Sequence, residues 1–236
     1  MPGFELFGDA ERKEVNDVLD TGVLMRYGFD GMRQGHWKAK ELEHAIQSRF
    51  DVKHAQLLSS GTAAVSLALA SAGIGAGDEV IMPCFTFVAS FEAILMLGAT
   101  PILVDIDDTL TLDIEAVQAA ITPKTKAIMC VHMCGSMANL NALKQICDSH
   151  HLFLIEDACQ AWLGEYKGKK LGTLGDLGCY SFQNSKNLPT GEGGAIVGNN
   201  DEIMDQCFSF HNCGRPFGTV QATSDYPNRG SNRRMQ

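Results

Sequence analysis

The sequence is poor in positive charge, and this disfavours anionic partners. Its 236 residues hold 19 Lys and Arg against 28 Asp and Glu, a formal net charge of −9 at pH 7. A negative field repels phosphate backbones and anionic membranes, so we expect no nucleic acid or membrane partner. The uncharged stretch at 55–77 is interrupted by SSGT. It therefore predicts a strand, a turn and a buried helix, not a membrane span.

Cysteine is too sparse for a disulfide scaffold, at 8 residues in 236. Cys130, Cys147 and Cys179 lie inside apolar runs, which predicts reduced, buried thiols. Cys130 and Cys134 are spaced CxxxC, not the CxxC of a structural zinc site, so no metal is expected. The N-terminus lacks the basic and apolar regions of a secretory signal, so the expected compartment is the cytoplasm.

Several well-known catalytic motifs are also missing. GIGAGD at 73–78 lacks the third glycine of GxGxxG and follows a predicted helix, where a dinucleotide site needs a strand. GEYKGKK at 164–170 does not match a phosphate-binding loop, and Ser136 has no GxSxG context. NAD binding, nucleotide hydrolysis and serine hydrolysis are therefore not predicted.

What the sequence does contain is an alternation of helices and short apolar strands. Helices are predicted at 10–20, 38–50, 63–72, 90–97, 114–121 and 140–150, the second with Leu42, Ile46 and Phe50 on one buried face. Strands are predicted at 55–59, 79–82, 100–105, 127–131 and 152–156, followed by a hairpin at 166–171 and strands near 178–182 and 195–197. This order predicts one α/β domain over residues 1–236, with a mainly parallel sheet sandwiched by helices. The apolar runs PILVD and FLIED predict strands buried on both faces.

Three segments between these elements carry polar residues suited to chemistry. Residues 59–63, SSGTA, lie where a strand meets a helix, so they form either an anion site or a cap made by Thr62. Glu156 and Asp157 end an apolar strand, where ligands bind in open α/β sheets, although Asp157 can also simply cap the next turn. Lys186 stands between a strand and a Gly-rich turn, as either a nucleophile or a surface lysine.

The order of these segments favours one cofactor. An anion site, a strand-end carboxylate and a lysine correspond to the phosphate, ring nitrogen and aldehyde of pyridoxal 5′-phosphate (PLP). The sequence also resembles the DegT/DnrJ/EryC/StrS sugar aminotransferases, which are PLP enzymes of the aspartate-aminotransferase fold type I. The likeness begins near Phe4 and rests on the motifs SSGTAA, GDEVIMPCFTFVAS, GATPILVDID, EDACQA, GDLGCYSFQNSKN and GEGGAIV.

The resemblance implies a role for each matching residue in the catalytic centre. Lys186 is the lysine that binds the cofactor aldehyde as a Schiff base and moves a proton during transamination. Asp157 keeps the pyridine nitrogen protonated, and Gln160 contacts the ring hydroxyl oxygen. Phe87 stacks on the ring, although its apolar surroundings also fit a core aromatic residue.

The resemblance also implies how the cofactor phosphate is held. The backbone at Gly61, Thr62 and Ala63, the Thr62 side chain and Ser181 surround it in one subunit. GSNRRM matches a family motif whose asparagine reaches the phosphate of the neighbouring subunit, which makes Asn232 the corresponding residue and implies a homodimer with shared active sites. Family members continue beyond this motif into a small C-terminal domain, so residues 1–236 are expected to be an N-terminal segment and the large PLP-binding domain, without the small domain.

The implied reaction moves an amino group from glutamate or glutamine to a keto or aldehyde carbon of a sugar. MPGFELFG, MRYGFDGMR and VHMCGSM resemble members that aminate the C8 aldehyde of 3-deoxy-octulosonate for lipopolysaccharide biosynthesis, with Arg26 and Arg33 available to an acidic sugar. Other members act on keto-sugar nucleotides or keto-cyclitols. Some relatives carry His in place of the lysine and perform dehydration, which Lys186 disfavours. A non-catalytic fragment with a dimerisation role is the remaining alternative.

Overall fold

The computed structural model describes residues 3–26, 28–212 and 214. Within these ranges the helices are α1 (Asp9–Thr21), α2 (Lys38–Phe50), α3 (Gly61–Ser71), α4 (Val88–Met96), α5 (Ile114–Ala119), α6 (Leu140–His150) and α7 (Asp201–His211). The strands are β1 (His54–Leu58), β2 (Glu79–Pro83), β3 (Thr100–Val104), β4 (Thr125–Val131), β5 (Phe153–Asp157), β6 (Glu165–Tyr166), β7 (Lys169–Lys170), β8 (Leu177–Ser181) and β9 (Gly194–Gly198). All the predicted elements are present within a few residues, and α7 is an addition.

Seven of these strands form one sheet, in the order β1-β9-β8-β5-β4-β2-β3. Strand β9 runs antiparallel to both of its neighbours, β1 and β8, whereas the remaining pairs are parallel. The carboxyl ends of six strands therefore meet at one edge of the sheet. Strands β6 and β7 form the separate hairpin predicted at 166–171. The prediction of a mainly parallel α/β sheet is confirmed.

Helices cover both faces of the sheet and bury two separate cores. Helices α2, α5 and α6 contribute to one core, and α3, α4 and α7 contribute to the other. In α2, Ile46 and Phe50 are buried and Leu42 is partly buried against the same core, as the spacing predicts. In α3, Leu67 and Leu69 are completely buried. Burying a side chain of this size contributes about 1.5–3 kcal/mol.

Short polar side chains mark where several helices begin. The Ser60 hydroxyl accepts a hydrogen bond from the Ala63 amide at the start of α3. Asp113 and Asn139 make the same contact at the starts of α5 and α6. Such caps satisfy amides that have no partner within the helix. The cap of α3 is thus made by Ser60, and the alternative that Thr62 caps this helix is wrong.

The two apolar runs predicted to be buried on both faces differ. Strand β5 lies at the centre of the sheet and is buried along most of its length, as FLIED predicts. Strand β3 is an edge strand, and Leu103 is 53 % exposed, so the prediction from PILVD is wrong. Pro101 fits the edge position, because proline has no amide hydrogen for a second neighbouring strand.

Candidate active site

A cavity of about 340 Å³ lies at the carboxyl edge of the parallel strands. The chain segments around it follow β1, β2, β5 and β8, so the sheet topology brings together residues far apart in sequence. Its walls include Ser60, Gly61, Thr62, Thr86, Phe87, Ser90, Asp157, Cys159, Gln160, Ser181, Gln183, Ser185, Lys186 and Glu192. This is the position at which open α/β sheets bind ligands.

Most of the residues predicted for the site line this single cavity. They are Gly61, Thr62, Phe87, Asp157, Gln160, Ser181 and Lys186. Ala63 is not among the lining residues, because it lies one position further into α3, and its amide already donates to Ser60 Oγ at 3.0 Å. Asn232 lies outside the described residues. The individual roles of these residues remain predictions.

The start of α3 forms a narrow polar wall of the cavity. The amides of Gly61 and Thr62 belong to the first helical turn, where they have no carbonyl partner within the helix, and the positive end of the helix dipole adds to them. A Cβ at Gly61 would lie 2.7 Å from Ser181 Cβ and 2.9 Å from Cys159 Sγ, so only glycine fits. A Cβ at Gly194 would lie 2.1 Å from the Ser60 carbonyl oxygen. The cavity beside this helix start is a suitable place for a small anion such as a phosphate group.

The Asp157 carboxylate is held from two directions and still faces the cavity. Asp157 is 6 % exposed. The Ser90 hydroxyl donates to Oδ2 at 2.7 Å, and the Cys159 amide donates to Oδ1 at 3.1 Å. A carboxylate oxygen accepts two hydrogen bonds, so each oxygen retains capacity for one more donor. A protonated ring nitrogen is a fitting third donor for this carboxylate.

Glu156, the neighbouring carboxylate, points away from the cavity. It is completely buried and accepts hydrogen bonds from the amides of Gly172, Leu174 and Gly175 at 2.6–2.7 Å. His132 Nε2 lies 3.0 Å from the same carboxylate. Consecutive residues of a strand face opposite sides of a sheet, so only one of the two strand-end carboxylates can serve the site. Glu156 instead holds the turn at 172–175 against β5.

Gln160 and Phe87 form the outer part of the cavity. The side-chain oxygen of Gln160 accepts a hydrogen bond from the Cys134 amide at 3.0 Å, which leaves its amide nitrogen to donate to a ligand. Phe87 is 60 % exposed, so the alternative that it is a core aromatic residue is wrong. An aromatic ring exposed at a cavity wall is suited to stacking on a planar ligand.

Lys186 lies on a loop that is held by hydrogen bonds at both its amide and its carbonyl group. Its amide donates to the Gln183 carbonyl at 2.9 Å, and its carbonyl accepts from the Gly3 amide at 3.1 Å. The Ser185 hydroxyl bonds the Gln183 side chain at 2.6 Å. Within the described part of the chain, the Lys186 amine forms no ion pair. The backbone is therefore fixed while the amine remains available to a ligand.

The thiols near the site are held in their neutral form. Burial, together with the negative charge of Asp157, raises the pKa of the Cys159 thiol well above its usual range. The same two causes raise the pKa of Cys179, and burial raises that of Cys130. Cys130, Cys147 and Cys179 are buried and unbridged, which confirms the prediction of reduced thiols. A thiolate nucleophile at Cys159 is therefore unfavourable.

Arg26 and Arg33, considered for an acidic substrate, are engaged elsewhere. Arg26 pairs with Glu43, and neither residue lines the site cavity. Arg33 is 5 % exposed and donates to the carbonyls of Gly28 at 2.9 Å and Met25 at 2.5 Å. Its guanidinium also stacks on the Trp37 ring, 4.4 Å from the centroid. Arg33 stabilises the loop before α2, and neither a surface role nor a role in the cavity fits it.

Sequence reasoning missed Ser90, which is 2 % exposed and in contact with Asp157. The available signal was its polarity within the apolar segment VASFEAILM.

The described residues contain neither a candidate metal cluster nor a candidate membrane span. No group of three potential metal ligands occurs among them. No helix in the described ranges is long and apolar enough to cross a membrane.

Comparison with known proteins gives a consistent family match. A model of the DegT/DnrJ/EryC1/StrS aminotransferase family matches residues 7–236. GDP-perosamine synthase of Vibrio cholerae is 40 % identical over 205 residues, covering 86 % of this chain and 54 % of that protein. L-glutamine:2-deoxy-scyllo-inosose aminotransferase of Streptoalloteichus tenebrarius is 46 % identical over 184 residues, covering 73 % and 43 % of the two chains.

A solved structure gives the same result for the fold. The crystal structure of ntda from Bacillus subtilis with bound cofactor PMP superimposes with a TM-score of 0.78 at 31 % identity. The match covers 92 % of this chain and 49 % of that one. The present chain spans about half the length of the curated relatives it matches.

Proposed function

The chain belongs to the DegT/DnrJ/EryC1/StrS aminotransferase family, and from this we propose that it is the cofactor-binding part of a PLP-dependent sugar or cyclitol aminotransferase. The observation that carries the proposal is the meeting of Lys186, Asp157 and the start of α3 around one cavity. The relative with bound PMP and the sugar and cyclitol relatives support it. We assign residues 1–236 to the N-terminal segment and large domain of the enzyme.

Each wall of the cavity suits one part of the cofactor. The first turn of α3, with Gly61, Thr62 and Ser181, would hold the phosphate, and Asp157 would accept a hydrogen bond from the ring nitrogen. Gln160 would donate to the ring hydroxyl oxygen, and Phe87 would stack on the ring. When bound, PLP supplies an aldehyde that captures amino groups and a ring that withdraws electrons.

Lys186 would perform the proton transfer within this arrangement. Its amine lies in the same cavity as Asp157, and its backbone is fixed by the contacts to Gln183 and Gly3. A fixed backbone limits the positions that the amine can reach, which favours its transfer of a proton between the substrate carbon that carries nitrogen and the aldehyde carbon of the cofactor. The presence of lysine, and not histidine, at this position favours transamination over dehydration.

For the substrates, we propose glutamate or glutamine as donor and a carbonyl sugar or cyclitol as acceptor. The relative named for L-glutamine and 2-deoxy-scyllo-inosose favours glutamine with a cyclitol, and the perosamine synthase favours a sugar nucleotide. The C8 aldehyde of 3-deoxy-octulosonate has no such support, and Arg26 and Arg33 are both engaged away from the cavity. We also propose a homodimer, because the family motif at Asn232 implies a shared site.

Reductive trapping tests the proposal directly. The purified 236-residue chain is incubated with PLP, reduced with borohydride and digested, and the modified lysine is identified by mass spectrometry. We expect one modified peptide, containing Lys186, and a visible absorbance band that Lys186→Ala removes. Lys144→Ala, which changes an exposed lysine on α6, should behave like the wild type.

Donor identity follows from the same sample. Adding glutamate or glutamine before reduction should release Lys186 from the cofactor and abolish trapping for the true donor only. Modification spread over many lysines, with no difference between the wild type and Lys186→Ala, would refute the catalytic proposal. The non-catalytic alternative would then be the better description.

A further inference from the structure

We infer that Ser90 is a positioning residue that orients the Asp157 carboxylate toward the cofactor ring. The inference rests on the proposed function, because it concerns how Asp157 meets the ring nitrogen of PLP. Ser90 lies in the first turn of α4, three residues after Phe87, and is 2 % exposed. Its hydroxyl donates to Asp157 Oδ2 at 2.7 Å across 67 residues of sequence.

The donor direction of this contact follows from the chemistry of the two groups. An ionised carboxylate only accepts hydrogen bonds, so the Ser90 hydroxyl must donate its hydrogen to Asp157. The Ser90 oxygen then accepts from its other neighbour, Thr86 Oγ1, at 3.0 Å. The result is a chain of two hydroxyl groups, from Thr86 to Ser90 to Asp157. The Phe87 carbonyl, at 3.4 Å, is a second and more distant acceptor for the Thr86 hydroxyl.

This chain determines the orientation of the carboxylate. The Cys159 amide holds Oδ1 from the backbone of the same segment, but one contact alone leaves the carboxylate free to rotate about its χ2 angle. The second contact, from Ser90 on a different element, stops that rotation. Charge-assisted hydrogen bonds of this kind are stronger than those between neutral groups, so losing one leaves the Asp157 carboxylate less firmly oriented.

The same turn of α4 also carries the wall of the cavity. Phe87 precedes the first residue of α4, and the Ser90 amide donates to the Phe87 carbonyl at 3.1 Å. The backbones of Phe87 and Ser90 are therefore held in a fixed relation by one helical turn. A ligand that stacks on Phe87 would meet Asp157 at a distance and angle that Ser90 controls.

The test uses two ligands that differ at one atom. PLP and its 1-deaza analogue, in which a C–H group replaces the ring nitrogen, are titrated into the full chain, and the Kd is measured by fluorescence quenching. We expect Ser90→Ala to raise the Kd for PLP about tenfold, because it removes one charge-assisted hydrogen bond. The Kd for the deaza analogue should change less than about twofold, and Ser90→Thr should restore PLP binding. Ser149→Ala, on α6, is the control.

The outcomes separate this inference from the proposed function. Equal weakening for both ligands would show that Ser90 only maintains the fold, and unchanged binding of PLP would also refute the inference. Failure of the wild-type chain to bind PLP would overturn the proposed function as well. If Ser90→Ala does not fold, Thr86→Val replaces it, with a smaller loss of about threefold expected for PLP alone. An equal loss for both ligands in Thr86→Val would again refute the inference.

Discussion

Among single residues, the orientation of a side chain separates a functional carboxylate from a structural one. The sequence places Glu156 and Asp157 side by side at a strand end, and pattern alone offers both as site residues. The structure directs Asp157 into the cavity and buries Glu156 among three backbone amides. The alternation of strand side chains required one of them to face away, but which one depends on the sheet, not on local sequence.

Gln56 on β1 provides a prediction about stability. It is completely buried, and neither side-chain amide atom has a hydrogen-bond partner among the described residues. Unpaired buried polar groups cost free energy, and an apolar group of similar shape removes this cost. We expect Gln56→Met to raise the free energy of unfolding by about 1 kcal/mol in urea denaturation.

The control for this change is Gln118→Met on the exposed side of α5. It should alter the free energy of unfolding by less than about 0.5 kcal/mol, as surface substitutions generally do. A destabilised Gln56→Met protein would mean that the amide group contributes favourably to the native state.

Among the secondary-structure elements, hydrophobic periodicity and composition predicted almost every helix and strand. Helix α7 was missed, although Asn200 caps it. Its inward face includes Asp205 and Ser209 besides Met204 and Cys207, and these buried polar residues interrupt the apolar stripe by which a helix is recognised. Edge position is equally hidden from the sequence, as β3 shows. Burial depends on which element is the neighbour, and a strand pattern does not contain that information.

The start of α3 yields a prediction for cofactor binding. Gly61→Ala places a methyl group against Ser181 and Cys159 and must displace one of these walls. We expect the Kd for PLP to rise at least tenfold, because the amides that would hold the phosphate move away from it. Isothermal titration with PLP measures the change.

Gly31→Ala is a matched control for this substitution. A Cβ at Gly31 meets no atom within 4 Å, and its φ is not positive, so binding should be unchanged. Wild-type affinity in Gly61→Ala would show that the phosphate binds somewhere other than the α3 terminus.

For the whole molecule, the sequence predicted the class of fold but not the position or direction of β9. A short apolar strand has the same pattern whether it runs parallel or antiparallel, so its place between β1 and β8 could only come from the structure. The gathering of distant residues around one cavity was predicted because carboxyl ends of parallel strands share an edge. Ser90 was not, because its contact with Asp157 joins two separate elements.

The buried thiols predict how stability depends on pH. Burial raises the pKa of Cys147 and of Cys207 to about 12, from an ordinary value near 9. Between these values the unfolded chain has lost the thiol protons that the folded chain retains. The contribution of these two thiols to the free energy of unfolding is therefore complete below about pH 9, and it is lost as the pH rises toward 12. We expect urea unfolding at pH 8, 9.5 and 11 to show a progressive loss of stability.

Substitution identifies the groups responsible for this loss. The double variant Cys147→Ala and Cys207→Ala should show a shallower decline with pH than the wild type, although it starts from a lower stability because of the lost packing. Cys84→Ala, which removes an exposed thiol, should decline as the wild type does. An identical slope in the double variant would assign the alkaline loss to other groups.

The position of β9 has a consequence for the order in which the chain folds during synthesis. Among the strands that the structure describes, β1 pairs only with β9, and the paired residues lie about 140 positions apart in the chain. On the ribosome, β1 therefore waits without a strand partner until nearly the whole described chain has emerged. Contacts of such long sequence separation slow folding and leave an unpaired edge exposed to other nascent chains. Closure of the sheet by β9 is then a late step, and it brings Gly194 against Ser60 at the start of α3.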